Sequence, residues 1–485
     1  MLRLTYEVTV KICKRSRACA LIGLLVVVCG SLLRVSAASG ELWLDEQWSL
    51  LLVQKASSPV ELITTVRHDN NHLLNSLWMW VVGAYADPFL YRLPAVICGC
   101  AMLIIATGLV RRNEMGPAGL VWCVFLATSY PLILVGTEAR GYSVEVLAAV
   151  ASFGLALELS RAEPKKGSAA LFLACSVLGL LSHATFMLFL VPTLVWLAWR
   201  RMKVVDNLAR DSATWIIVVV PSLVSFLLWR SFYGILEVGG GPEASYLQVF
   251  ISTISTMLGG SELSAFDVGG SAYAFVLAGV ALLFASVEAI AWMRSGDPAS
   301  WLVLGIIVAP VCAVLVGQPP FLLPRYFILA AVFSYLLLAR LVARLFAQNL
   351  IGKCLAAALV LGFVTQSGQR TIELVTRGRS HYQSALEALA SAGQPLVVGG
   401  DLDNQNELRW EFLRLRRAPM STLSYVRNAE SIDPPPAILL REWIEPCVQA
   451  PSEYETSRGI KYSLIEWYPA PLLSGFSLGV YARVP

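Results

Sequence analysis

Charge is scarce in this sequence. Asp, Glu, Lys and Arg together make up 14% of its 485 residues, where an ordinary soluble domain carries about 25%. A soluble globule of this size needs that polar cover, so an ordinary cytosolic enzyme is excluded, as are disordered and fibrous chains. An excess of one sign is missing too. The formal net charge is +4, and the bases fall in short clusters between apolar runs, which excludes nucleic acid as a partner. Histidine is limited to four residues. Ten cysteines are present, but no paired spacing suggests a disulfide framework or a zinc knuckle. They read as small apolar residues. No repeat of fixed period is visible.

What is abundant is apolar. Hydrophobic residues make up 56% of the chain and the mean hydropathy is +0.65. The polarity is uneven along the chain. From 367 to 485, 25 of 119 residues are charged, close to a soluble fraction. The expected fold is a polytopic α-helical membrane domain over 1–366, followed by a C-terminal soluble α/β or α+β domain over 367–485. A span needs about 20 apolar residues. Such runs occur near 18–38, 91–110, 117–134, 142–160, 168–182, 184–200, 213–231, 271–293, 299–316, 326–346 and 351–366, about 11 transmembrane helices. Lys11, Lys14, Arg15 and Arg17 precede the first run, and Arg111, Arg112, Lys165, Lys166, Arg200, Arg201, Arg294, Arg340 and Arg344 mark every second turn. By the positive-inside rule the N-terminus is cytoplasmic and the C-terminal domain extracytoplasmic.

Two outer loops stand out, 39–90 and 232–270. Within the first, His72–Ala86 is apolar but short and Trp-rich, which suggests an interfacial helix. The second is rich in Gly and Ser and reads as a mobile loop. The first apolar run also resembles a signal peptide ending near Val35-Ser36-Ala37, but Arg34 and its long core favour retention. In the tail, strand signals occur at Leu396–Val398 and Phe476–Val484, with helical stretches such as 404–417 between them.

The unusual polar residues gather in the outward turns. Asp45 and Glu46 lie between Trp43 and Trp48. A carboxylate there suits a general base on an incoming hydroxyl or a cation ligand, although acids also simply flank spans. Arg67-His68-Asp69-Asn70-Asn71-His72 offers two histidines, His68 and His72, with Asp69 between them as candidate metal or phosphate contacts, or Asp69 or Asn70 as a helix cap. Glu138 and Arg140 share a short turn before Tyr142, and Arg325 follows Pro324. Arginine suits bidentate phosphate contact, and both arginines also suit interfacial anchoring. His183 faces the same side and reads first as structural.

These motifs, Leu44-Asp45-Glu46, Asn70-Asn71-His72, Arg92-Leu93-Pro94, Glu138-Ala139-Arg140-Gly141-Tyr142 and Pro324-Arg325-Tyr326, resemble in kind and order the GT-C membrane glycosyltransferases. The resemblance is to bacterial relatives of protein O-mannosyltransferases (dolichyl-phosphate-mannose-protein mannosyltransferase-like) and lipid A aminoarabinose transferases. It implies inverting transfer of a sugar from a polyprenyl-phosphate donor to a hydroxyl of a lipid, glycan or protein acceptor, at the outer face of the inner membrane. It implies Asp45 as general base, Glu46 beside it, Glu138 at a second acidic position, and Arg140, Arg325 and His72 at the donor phosphate. Many members have His-Pro-Pro where this chain has His72-Leu73-Leu74. Metal dependence varies within the superfamily, so a divalent cation is the one candidate cofactor. The competing readings are a secondary transporter of a lipid-linked or anionic substrate, which would show half-repeats and mid-membrane charges, and a non-catalytic membrane scaffold.

Overall fold

A computed structural model describes residues 17–68, 71–84, 86–112, 115–204, 212–237, 245–260, 268–319, 322–391, 396–400, 423–427, 435–443, 450–469 and 477–484. Among the described residues, eight helices are long and apolar enough to cross a membrane. Each of the eleven apolar runs falls on a helix. In chain order the helices are α1 (Arg17–Ala37), α2 (Leu44–Gln54), α3 (Pro59–Thr64), α4 (Leu73–Val82), α5 (Pro88–Arg112), α6 (Gly116–Thr128), α7 (Tyr130–Val135), α8 (Tyr142–Leu159), α9 (Ser168–Ser182), α10 (Met187–Val204), α11 (Ser212–Ser231), α12 (Tyr246–Met257), α13 (Val268–Arg294), α14 (Ala299–Gly317), α15 (Ile328–Phe346), α16 (Leu350–Arg377) and α17 (Tyr382–Ser391). The run at 117–134 divides at Ser129 because Pro131 opens a new helix there, and its missing N–H is harmless only in a first turn.

The chain forms two compact units. The first comprises Met1–Ala38, Arg67–Asn75 and Arg92–Thr371, and the second Ser39–Val66, Ser76–Tyr91 and Ile372–Pro485.

In the first unit, α8 packs on α9, α15 on α6 and α14, and α1 on α6. The core is aromatic: Phe125 meets Phe363 at 4.5 Å between ring centroids, and Phe153 meets Phe333 at 5.1 Å. Trp122 donates to the Val332 carbonyl at 2.9 Å, so its one polar atom is satisfied in an apolar interior. Arg34 is fully buried. It donates to the carbonyls of Gly30 (2.9 Å), Leu126 (3.0 Å) and Ala127 (3.3 Å). Leu126 and Ala127 end α6, whose last carbonyls lack helical partners and carry partial negative charge. Gly99 and Gly136 make the room, since a Cβ at Gly99 would lie 2.9 Å from Arg34 Cδ. Arg92 similarly donates to the Ala38 carbonyl at 3.0 Å.

The Gly- and Ser-rich stretch is partly helical, against the expectation of a mobile loop. Ser245 caps α12 through the Gln248 N–H. Phe250, Ile254 and Met257, at helical spacing, then line one face of a cavity of about 370 Å³. Sequence inspection weighted the flanking glycines over this periodicity.

In the second unit, six strands form one mixed sheet in the order β2-β1-β3-β6-β5-β4. These are β1 (Leu396–Gly400), β2 (Leu423–Arg427), β3 (Ile438–Trp443), β4 (Glu453–Glu455), β5 (Lys461–Tyr468) and β6 (Ser477–Arg483). β1 pairs in parallel with β2 and β3, and β3–β6, β6–β5 and β5–β4 pair antiparallel. Tyr462, Tyr481, Leu439 and Ala450 form its buried cluster. The expected strands correspond to β1 and β6, while the helical stretch expected at 404–417 lies outside the described residues. Cys19 is disulfide-bonded, unlike the reading from spacing, and the other seven cysteines among the described residues are free.

Candidate functional site

The turn Thr137–Gly141 between α7 and α8 is the structural centre of the site. Thr137 closes α7 by donating to the Ile133 carbonyl at 2.8 Å, and the Arg140 N–H donates to the Glu138 carbonyl at 2.7 Å. Gly141 is required by close approach. A Cβ there would sit 2.0 Å from the Ser182 carbonyl oxygen and 3.4 Å from His72 Cβ. The turn therefore lies directly against the end of α9 and the residue preceding α4. Asn75 fixes this contact by donating to the Ala139 carbonyl.

Arg140 is 3% exposed and donates its Nε–H to His72 Nε2 at 2.9 Å. His72 thus acts as an acceptor, with its ring proton on Nδ1. Burial, reinforced by the nearby Arg140, His183 and Arg325, pushes its pKa well below the usual histidine value. The ring is neutral at physiological pH. It is tilted against Tyr142 at 5.6 Å and stacked on His183 at 4.9 Å. Tyr142 and His183 are 4.3 Å apart, and the Arg140 guanidinium lies 5.4 Å from the Tyr142 ring. The Tyr142 hydroxyl is buried and has no hydrogen-bond partner among the described residues.

Arg325 comes from the 3₁₀ turn Pro324–Phe327. Phe327 of this turn packs on Phe250 of α12 with ring centroids 5.2 Å apart. α12 is held in turn by Tyr246 Oη donating to the Pro319 carbonyl at 3.0 Å. Arg325 is half-buried and close enough to His72 to depress its pKa. The first unit thus joins His72, Arg140 and Arg325, which lie more than 250 residues apart in sequence between the first and last.

Asp45 and Glu46 belong to the second unit. Asp45 is half-buried in the first turn of α2. Glu46 is fully buried, and its Oε2 accepts the Trp43 N–H at 3.2 Å. Glu46 therefore closes the start of α2 in the manner of a capping box glutamate. Gln47 donates to the Leu42 carbonyl at 2.7 Å. Glu41, five residues before Glu46, accepts the N–H groups of Gln383 (2.8 Å) and Ser384 (3.2 Å) and the hydroxyls of Ser380 and Ser384 (3.1 Å each). It caps the first turn of α17 from a remote position, where the orphan N–H groups and the helix dipole favour an anion. Burial still raises the Glu41 pKa, and these four bonds oppose the rise.

A divalent cation at His72 is not a fit for the described residues. The Nε2 lone pair is taken by Arg140, and two guanidiniums border the ring. Among the described residues, no group of three or more His, Cys, Asp or Glu could hold a metal. Asp69 lies outside the described residues.

Glu145, which the sequence motifs do not include, lies beside His183. Glu145 is one helical turn after Gly141 and fully buried. Its Oε1 accepts the Thr185 hydroxyl at 2.6 Å, and that hydroxyl lies 2.6 Å from His183 Nδ1. An acid four residues into an apolar span was the available signal.

A solved structure shares this fold. ArnT from Cupriavidus metallidurans in the apo state matches with a TM-score of 0.52 at 12% sequence identity, over 97% of this chain and 99% of that chain. The same protein bound to undecaprenyl phosphate matches with a TM-score of 0.47 at 12% identity, over 97% of this chain and 98% of that chain. No protein-family model matches the chain, and no curated protein matches it. The likeness is one of fold, a polytopic α-helical membrane domain followed by a C-terminal domain.

Proposed function

We propose that this chain is an inverting glycosyltransferase that moves a sugar from a polyprenyl-phosphate donor to an acceptor hydroxyl at the outer face of the membrane. The observation that carries this reading is the buried Arg140–His72 pair with Arg325 beside it. Two guanidiniums next to a histidine kept neutral form a strongly cationic site in a chain otherwise poor in charge. A phosphate dianion, whose charge grows as the glycosidic bond breaks, is the ligand such a site stabilises. The fold and the ordered motifs support the same reading.

In this reading Asp45 takes the proton of the acceptor hydroxyl as that oxygen attacks the anomeric carbon. The bond from that carbon to the phosphate oxygen breaks, and the polyprenyl phosphate leaves with the electron pair. Arg140 and Arg325 meet the leaving phosphate. His72 orients Arg140 by occupying its Nε edge, which turns the Nη edge toward other partners. Glu138 remains the second acidic position of the turn. No step is assigned to a cation. The cavity near α12, lined by Phe250, Met257, Leu282, Leu338 and Phe363, has the apolar character that a polyprenyl chain requires. The orientation, with the N-terminus cytoplasmic and the C-terminal domain outside, follows from the basic inner turns.

The test is a transfer assay in membranes with a polyprenyl-phosphate sugar, comparing wild type with Arg140→Ala. The expected result is loss of about 100-fold or more in transfer, as for removal of a transition-state charge partner. Full transfer in the variant, or donor movement across the membrane without glycosidic cleavage, would overturn the assignment.

A further inference from the structure

His183 ends α9 in an extended conformation (φ −160°, ψ 144°), and the chain turns at once into the 3₁₀ helix Ala184–Phe186. That geometry brings the Thr185 N–H to His183 Nδ1 at 3.1 Å. The short contacts of Nδ1 with the Thr185 backbone and hydroxyl set the ring's rotation. The Thr185 hydroxyl is fixed from its other side by Glu145 Oε1 at 2.6 Å. The second carboxylate oxygen, Oε2, is buried without a hydrogen-bond partner among the described residues and lies 3.7 Å from His183 Nδ1.

A buried carboxylic acid with an unsatisfied oxygen is an expensive occupant of a helix core. An apolar residue would fill the same volume at less cost. The side-chain oxygens of Glu145 meet the Thr185 hydroxyl and approach His183 Nδ1, and the chain continues by ring contact. His183 stacks on His72 with ring planes 23° apart, and His72 accepts from Arg140. Tyr142 closes the group from the other side, 4.3 Å from His183 and 5.6 Å from His72.

We infer that His183 is a positioning residue for the donor-phosphate site. Glu145 and Thr185 lock its ring, the locked ring sets the plane of His72, and His72 sets the direction of the Arg140 guanidinium. The inference rests on the phosphate-site reading of Arg140 and goes beyond it by assigning the orienting role to Glu145, Thr185 and His183. A guanidinium offers its donors in one plane, so a rotation of His72 would misdirect the Nη edge without removing the charge.

The experiment uses the purified full-length protein in detergent, with undecaprenyl phosphate as the probe and direct binding as the readout. Four variants are compared with wild type: Arg140→Ala, His183→Ala, His183→Phe and the double variant Arg140→Ala/His183→Ala. His183→Ala is expected to weaken binding about tenfold, on the scale of a lost charge-assisted hydrogen bond. His183→Phe keeps a ring on His72 and is expected to recover part of that loss. In the double variant, His183→Ala is expected to add less than about twofold to the loss from Arg140→Ala, because residues acting through one partner are not additive. A general packing role predicts instead that the two losses multiply, and that result overturns the inference. So does unchanged binding by His183→Ala while Arg140→Ala binds weakly. Unchanged binding by Arg140→Ala overturns the phosphate-site reading itself, and the inference with it. If His183→Ala does not fold, Thr185→Val removes the hydroxyl at nearly constant volume and enters the same cycle with the same expected outcomes.

Discussion

The carboxylates of the 41–46 segment are buried or half-buried, the polar residues of the 137–145 segment are buried, and the two sets are satisfied in different ways. Glu41 and Glu46 are satisfied by backbone N–H groups: Glu41 by those of Gln383 and Ser384, Glu46 by that of Trp43. They do for helix termini what caps do. In the second segment the Tyr142 hydroxyl and Glu145 Oε2 have no hydrogen-bond partner among the described residues, and Arg140 bonds to a histidine side chain, His72. Buried polar atoms are normally paired, so unsatisfied ones mark a place where stability is traded for something else. The difference separates acids bonded to the backbone of helix starts from polar groups bonded to side chains or left unsatisfied in a helix core. It also divides Asp45 from Glu46, two neighbours that sequence inspection treated as a pair. The Glu46 carboxylate closes its own helix, while Asp45 stays half-buried in the same turn.

Asp45 and Glu46 supply the sharpest test of this division. Asp45→Asn is expected to reduce transfer by about 100- to 10,000-fold, the range of general base catalysis, with expression and thermal stability unchanged. Glu46→Gln is expected to act mainly on stability. Loss of transfer in Glu46→Gln at unchanged stability would reverse the two roles. Both are read from an activity assay beside a melting curve in detergent.

Gly141→Ala tests the 137–145 segment as a packed device. Its Cβ would meet a backbone carbonyl at 2.0 Å, so the turn or α9 must move. The expected loss is about 1–3 kcal/mol in stability, the range for overpacking, together with weakened binding of undecaprenyl phosphate. Retained binding at wild-type affinity would show that the turn does not set Arg140.

Glu41→Ala removes four accepted hydrogen bonds from the start of α17. About 1–2 kcal/mol of stability should be lost, as for a deleted helix cap, and transfer per folded molecule should stay the same. A selective loss of transfer would move Glu41 from the structural group to the site.

The smallest effect concerns pH. His72 has a depressed pKa in the folded protein, so below about 6.5 the unfolded chain takes up a proton that the folded chain refuses. Its contribution to stability is full above that pH and is lost as pH falls toward the folded pKa. In His72→Gln the decline in melting temperature on acidification below about pH 6.5 should be shallower than in wild type. An identical pH profile would mean that His72 is not held neutral by Arg140 and Arg325.

Much of the fold is legible in the sequence because apolar run length and the placement of bases are local properties. All eleven runs are helical, and the strand signals at 396–398 and 476–484 fall on β1 and β6. The other four strands, β2 to β5, are not legible because brief apolar runs and partial alternation carry a weak signal. The helix α12 escaped because glycines flank it. For the site, the sequence shows which residue types are out of place in an apolar chain: Arg140, Arg325, His72 and the acids. It does not show that His72 Nε2 accepts from Arg140, nor that Glu145 and His183 share Thr185.

The sequence by itself determined the class of molecule. With 14% charge, 56% hydrophobic residues and long continuous apolar runs, the chain reads as helices that satisfy their own backbone in a bilayer rather than as alternating barrel strands. It also determined which side chains are too costly to be incidental. The tertiary structure alone decided their roles. Arg34 and Arg92 are as buried as Arg140, and no local feature of sequence separates the three. Arg34 and Arg92 donate to main-chain carbonyls, while Arg140 meets a neutral histidine brought from 68 residues away. The first two direct their donors to helix-end carbonyls and the third directs its Nε–H to a ring nitrogen, and only the three-dimensional arrangement distinguishes them.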